Sequence, residues 1–323
     1  MMMIYNSFYF FFSGENMLHV NDTDSGIVIV TTRQNLEYLA TPDVQIFSDG
    51  TFQYCPRFFL QMYTLVGYSN GQYIPCVIAL LPSKSRETYR RMFQHISDIA
   101  SSMDVDLQLK CLHMDFETAA HQGLKDVFSD ATIKGCHFHL SQAWWRKIQS
   151  LGLSRVFKDK ETVEARWLKD IFGIMFLPPH QIEEYFVFEL MAEKPENEKM
   201  DELMDYLLET YVKDSSLFPP SMWCHPETGN KKTTNACERF HREFGEYFYT
   251  SHPDIFKFLD VVTAFQAKVY MKIRATARPV VATKRIKQLQ KKVDQLKQLF
   301  DEGKLEVREY VHEMAMRYQP VNV

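Results

Sequence analysis

The stretch VQIFSDGTFQYCP, residues 44–56, sets strand formers around one acid: Val44, Ile46, Phe47, Phe52 and Tyr54 suit a strand, and Cys55-Pro56-Arg57 reads as the turn that ends it. Aspartate disfavours strands and is seldom buried without a partner. Asp49 therefore requires a cation, a metal ion or a place at a solvated sheet end. Outward from it the β signals continue. Residues 58–68 and 72–81 are rich in aromatic and β-branched residues, and the Asn70-Gly71 dipeptide between them is a hairpin signal. The spacing predicts a three-stranded antiparallel meander with Asp49 in its first strand.

Around the meander, helices and strands alternate. GIVIVTT, from residue 26, reads as a strand, and RQNLEYLA has helical spacing up to Pro42. Pro82-Ser83-Lys84-Ser85 opens a helix to about Ile99, with Tyr89, Met92, Phe93 and Ile96 on one face. A fourth strand is expected over LQLKCLHMDFE, residues 107–117, where the odd positions share a face and His113 and Asp115 come last. Carboxyl ends of strands are where α/β sheets present chemistry. TAAHQGLKDVF reads as a helix, ATIKGCHFHL as a strand, and SQAWWRKIQ as a helix with Ser141 as N-cap. This alternation indicates α/β up to about residue 150. From 155 to 220 the spacing turns helical, broken by Pro178-Pro179 and Pro219-Pro220, and SMWCHPETGNKK is a loop. TTNACERFHREFGEYF then opens a helix carrying Glu238 near its start, and DIFKFLDVVTAFQAKVYMKI forms a long amphipathic one. A last helix places Ile286, Leu289, Val293, Leu296 and Phe300 at spacings of three and four, too short a run for a coiled coil and suited to packing.

Composition narrows the function classes. The chain has 323 residues, 46% of them hydrophobic, enough for a large core in one or two domains. Six cysteines without CxxC pairs indicate neither a disulfide framework nor a zinc ribbon and suit a reducing compartment. No segment reads as a signal peptide or membrane span, so no membrane partner is expected. Net charge is −4, yet residues 268–293 hold nine Lys or Arg and no acid, and residues 183–209 hold ten Asp or Glu against Lys194 and Lys199. A polyanion would meet the first stretch and avoid the second, unless both are simply solvated helix faces. Lys284, Arg285 and Lys287 are the candidate phosphate contacts.

Four short motifs occur in order: SDGTF, LHMDFETAA, GCHFHLSQAWWRKIQ and TTNACERFH. Over about residues 27–275 this series resembles the catalytic domain of Mutator-like element (MULE) transposases of the DDE group. The resemblance implies an α/β, ribonuclease-H-like mixed sheet with flanking helices and an all-α insertion before the last catalytic acid. It assigns Asp49, Asp115 and Glu238 to the family's Asp, Asp and Glu. In that fold the first and fourth strands lie side by side and a later helix packs across them. Clustered carboxylates need divalent cations, and hard oxygen ligands select Mg²⁺ or Mn²⁺ in a two-metal site for phosphoryl displacement. Glu117, on the same strand face as Asp115, is a rival ligand, although a first-turn helix acid is common there.

The resemblance also matches Cys136 and His139 to the family's Cys-x-x-His motif. Cys and His are zinc ligands, but two do not complete a tetrahedral site without Cys224 and His225, and a structural or DNA-positioning role is preferred. His137 reads as a surface or packing residue. Trp223, in a segment that approaches DNA in such transposases, would stack on an unpaired base if exposed; the other reading is a buried tryptophan closing the helical block. The expected layout is an N-terminal extension over 1–26, the first part of the core over 27–152, a helical insertion over 153–232, core helices over 233–278 and a helical tail over 279–323. Full-length relatives carry a separate DNA-binding finger, often FLYWCH, and the stretch ahead of residue 27 has no cysteine to build one. Two functions stay open: metal-dependent DNA cleavage and strand transfer, or a truncated or domesticated nuclear DNA-binding protein without catalysis. The expected partner is DNA, the location nuclear, and a homo-oligomer is left open.

Overall fold

The computed structural model describes residues 11–12, 15–159, 161–224, 235–276 and 283–318. The chain divides into two compact units, Met1–Lys134 with Thr234–Val281 and Gly135–Thr233 with Ala282–Val323. The first begins with a short antiparallel pair, β1 (Phe11–Phe12) and β2 (Glu15–Asn16). Its centre is a seven-stranded mixed sheet: β3 (Leu18–Asp22), β4 (Ile27–Val30), β5 (Gln45–Thr51), β6 (Gln61–Ser69), β7 (Gln72–Leu81), β8 (Cys111–Met114) and β9 (Thr132–Gly135), in the order β3-β4-β7-β6-β5-β8-β9. β5, β6 and β7 form the expected antiparallel meander, and β8 lies parallel to β5 on its other side.

The meander strands β6 and β7 are buried along most of their length because helices cover the sheet. β6 has a run of seven buried residues and β7 a run of eight. The helices of this unit are α1 (Arg33–Leu39), α2 (Arg86–Ser102), α3 (Thr118–Val127), α10 (Asn235–Gly245) and α11 (Ile255–Ala275). Thr32, Ser85 and Asp254 cap α1, α2 and α11 through side-chain oxygens. Gly123 permits the α2–α3 contact, since a Cβ there would lie 2.8 Å from the Arg90 backbone nitrogen. Asn35 on α1 and Gln266 on α11 exchange amide hydrogen bonds of 2.8 and 3.2 Å, and Asn35 also donates to the Cys76 carbonyl at 3.1 Å. A buried, mutually satisfied amide pair fixes these two helices over β7.

Two strands are shorter than their sequence suggests. β8 starts at Cys111 and not at residue 107, because Ile46 pairs with Leu112 and the residues before Cys111 run past the start of β5. β9 ends at Gly135, because Cys136 takes the N-cap position of the helix that follows, His137–Ser150, and its sulfur accepts from the His139 amide at 3.4 Å. Ser141 is thus inside the helix, bonded back to the His137 carbonyl, and not its cap.

Among the described residues the second unit is helical apart from Gly135. It contains α4 (His137–Ser150), α5 (Ser154–Lys158), α6 (Val163–Asp170), α7 (Ile182–Tyr185), α8 (Glu198–Leu207), α9 (Pro220–Trp223), α12 (Lys284–Asp301) and α13 (Val307–Ala315), with 3₁₀ and π turns between some of them. Trp144, Phe157, Phe172, Tyr211 and Trp223 form its aromatic centre. α13 packs against α6, and Tyr310 stacks on Phe300 of α12 with centroids 4.3 Å apart. Of the apolar repeat in α12, Val293 is buried and Leu289 is 38% exposed; α13, which follows, was not expected from the sequence.

Candidate functional site

Parallel pairing of β5 with β8 sets Ile46 opposite Leu112 and Phe47 opposite His113. Side chains alternate along both strands, so two residues further on Asp49 and Asp115 follow on that same face. A carboxylate oxygen of Asp49 lies within 4.8 Å of one of Asp115. Each acid accepts a hydrogen bond from the amide that follows it, Gly50 for Asp49 and Phe116 for Asp115, which turns both in the same sense. Asp49 is 8% exposed. Below the acids, Phe47, Val66 and Cys237 pack together, and the Phe47 ring stacks on His113 at 4.4 Å. The site is a polar rung above an apolar floor, with the floor fixing its height on the sheet.

α10 supplies the cover. It packs on β5, β6 and β7, with Cys237 in the floor and Phe240 and Phe244 in the main core. One turn beyond Cys237, His241 reaches the polar rung: Nδ1 stands 3.6 Å from Asp49 Oδ2 and Nε2 is 3.2 Å from Thr64 Oγ1. Thr64 in turn donates to the Asp49 carbonyl at 3.3 Å. With that hydroxyl proton committed, Nε2 is the donor toward Thr64, and a protonated imidazole would face Asp49 with its second N–H. Glu238 occupies the helical turn between Cys237 and His241; its side chain lies outside the described residues.

The neighbouring polar groups are committed to positioning. His121 on α3 donates to the Asp115 carbonyl at 2.6 Å, and burial lowers its pKa, which keeps it neutral. Glu117, the rival ligand, is bound elsewhere: it pairs with Lys84 at 2.6 Å and accepts from Tyr89 at 2.9 Å, while Tyr89 accepts from Gln61 at 2.6 Å. It also stands at the N-cap of α3, as the first-turn reading anticipated.

The remaining candidates lie in the helical unit. Cys136 is buried at the N-cap of α4, and His139 follows in its first turn. His137 is a packing residue whose ring bonds the Trp223 carbonyl at 2.6 Å. Cys224 is buried with its thiol against the Leu177 carbonyl, and among the described residues it belongs to no cluster of metal-capable groups; His225 lies outside them. The expectation of an exposed, base-stacking Trp223 is corrected. The indole is 0% exposed, and its Nε1 donates to the carbonyls of Phe218 at 3.0 Å and Tyr211 at 3.3 Å. Two carbonyls left by irregular helix ends need a donor there, and the ring fills the centre of the aromatic cluster. Lys284, Arg285 and Lys287 are exposed in the first turn of α12.

Sequence reading missed His241. Its signal was present: it stands three residues after Glu238, the spacing that puts two side chains on one helix face.

Residues 45–143 match the family model of the MULE transposase domain, which supports a transposase-type function. The match begins with the strand that carries Asp49 and runs past Asp115 into α4. No curated protein matches the chain. Among the described residues no helix is long and apolar enough to cross a membrane.

Proposed function

We propose that the chain carries a DDE-type, ribonuclease-H-like catalytic domain that cleaves DNA and transfers strands with the help of divalent metal, acting in the nucleus. The observation that carries this reading is the placement of Asp49 and Asp115 at the same level of adjacent parallel strands. Like charges that close repel each other, and hard oxygen donors suit Mg²⁺ or Mn²⁺, so the residues present fit such an ion. Asp49 and Asp115 would hold it, with Glu238 completing the set from the helix that also presents His241. The sheet order, with the fourth strand of the core parallel beside the first, supports the ribonuclease-H-like assignment. When bound, the metal would activate an attacking water or 3′ hydroxyl and stabilise the leaving oxygen of the phosphodiester. Asp49 and Asp115 fix that position through their own backbone bonds. His241 and Thr64 hold Asp49 from the helix side.

DNA as partner gains support from α12. Its first turn contains no acid and carries Lys284, Arg285 and Lys287, although helix N-termini favour negative charge. A phosphate backbone would relieve that arrangement.

The test is nicking or joining of supercoiled plasmid in Mn²⁺ or Mg²⁺. Asp49→Asn and Glu238→Gln should each reduce the rate by orders of magnitude, since losing a ligand weakens binding and misplaces the nucleophile. Cleavage undiminished in Asp49→Asn would refute the assignment. A parent chain that binds DNA but never cleaves it would leave the non-catalytic alternative.

A further inference from the structure

The turn that leaves the Asp49 strand and the turn that leaves the Glu238 helix meet beyond the site. Residues 52–60 follow β5, residues 246–254 follow α10, and together with the start of α11 they enclose a groove of about 580 Å³. It is a built feature. The His252 amide donates to the Gln53 carbonyl at 2.9 Å, and its Nδ1 bonds the Cys55 carbonyl at 3.1 Å. These bonds hold His252 at φ +54°, a left-handed conformation unfavourable for a residue other than glycine. Beneath it Tyr54 stacks on Phe248, with centroids 6.0 Å apart.

The groove is lined by aromatic rings and cations. Phe58, Tyr249 and Phe256 are 73%, 102% and 49% exposed. Large rings are seldom left in solvent together without use. Arg57 and Lys257 lie among them, and neither makes an ion pair among the described residues. The one acid of the lining, Asp254, is committed to capping α11 through the Lys257 amide at 2.9 Å. Exposed rings set beside cations match one ligand chemistry: an unpaired polynucleotide strand, whose bases stack and whose phosphates need positive charge.

We propose that this groove binds single-stranded DNA, seating the unpaired bases that flank the phosphodiester delivered to Asp49 and Asp115. The part about delivery rests on the transposase reading; the binding does not. Because both turns are continuous with the elements that carry the acids, a strand held there points along the sheet toward them. Tyr249 and Phe58 supply stacking faces, and Arg57 and Lys257 the phosphate contacts.

Affinity of the full chain for a fluorescent 15-nucleotide dT oligomer, measured in EDTA, tests the proposal without any demand on catalysis. Tyr249→Ala with Phe58→Ala should weaken binding about tenfold or more, and Tyr249→Phe alone should restore most of what Tyr249→Ala loses, because stacking needs the ring and not the hydroxyl. Arg57→Gln with Lys257→Gln should flatten the dependence of log affinity on log salt by roughly one to two phosphates, at about 0.7 per phosphate for a single strand. Duplex affinity should change far less than single-strand affinity. Equal oligomer affinity for parent and double-alanine variant would overturn the proposal, as would losses equal for single strand and duplex. Oligomer binding that persists in a chain unable to cleave would leave the groove standing and reject only the catalytic reading. A parent chain that ignores the oligomer would reject the groove, making the rings a protein-docking surface.

Discussion

Asp115→Asn should make the metal-free protein more stable while removing its response to metal. The substitution is isosteric, and the asparagine oxygen can still accept from the Phe116 amide as Asp115 does. Two unit charges within 4.8 Å of each other repel by at least about 3.5 kcal/mol at an effective dielectric of about 20. Asp115 is half-buried and part of that field is lost to solvent, so a gain of about 1–2 kcal/mol is expected. Asp49 is the poorer choice, because His241 already stands 3.6 Å from it and offsets its charge when protonated. At about 3 °C per kcal/mol, the variant should melt roughly 3–6 °C above the parent in EDTA. Free Mn²⁺ at about a hundred times its dissociation constant should stabilise the parent by about 2.7 kcal/mol, and the variant should forgo most of that rise. Thermal unfolding by circular dichroism, in EDTA and across a Mn²⁺ titration, reads both effects. A variant that melts below the parent without metal, or that gains as much from Mn²⁺, would refute the idea of a carboxylate pair held for a cation.

Four further outcomes follow from other parts of the fold. Gly123→Ala should destabilise by about 2 kcal/mol despite alanine's better helix propensity, because the new Cβ meets the Arg90 backbone; urea midpoints check it. Hydrogen bonds from Ser25 pull the Asp22 carboxyl down to about 2, so its contribution is full above pH 4 and is lost as pH falls through about 2. Asp22→Asn should remove that acid-side slope from a stability–pH curve. Lys284→Gln, Arg285→Gln and Lys287→Gln together should weaken binding to all duplexes alike and flatten the salt dependence, whereas Trp223→Phe should lower stability by about 1–3 kcal/mol and leave DNA affinity of the folded protein unchanged.

The meander and helices such as α2, α3 and α11 were legible in sequence because each rests on local signals, whereas α13 was missed. β7 fills the span from residue 72 to 81 because Asn70-Gly71 sets its turn and Pro82 its end. Asp49 stood out because a charge inside an apolar strand has few structural uses. The lengths of β8 and β9 were not legible, since they depend on where partner strands start and on a cysteine acting as a helix cap. β3 was also missed: LHVND is short and only half-buried, and the strand exists by pairing with β4 at the sheet edge. The burial of Trp223 was equally hidden, because no local pattern tells an indole that closes a helical core from one that faces solvent. His241 shows the reverse case, a residue whose spacing from Glu238 was visible but whose partner, Asp49, lies far away in the chain.

The arrival of α10 and α11 over the sheet sets an order of events during synthesis. The aspartates emerge first, and the helix bearing Glu238 and His241 follows Asp115 by about 120 residues. At about 5–20 residues per second, the ribosome spends roughly 6–25 s on that interval. Throughout it β5 lacks the helix that covers it, and the Asn35 amide awaits Gln266. The nascent chain therefore holds Asp49 and Asp115 without the helix that covers them, and the proposed chemistry would have to wait until α10 has left the tunnel.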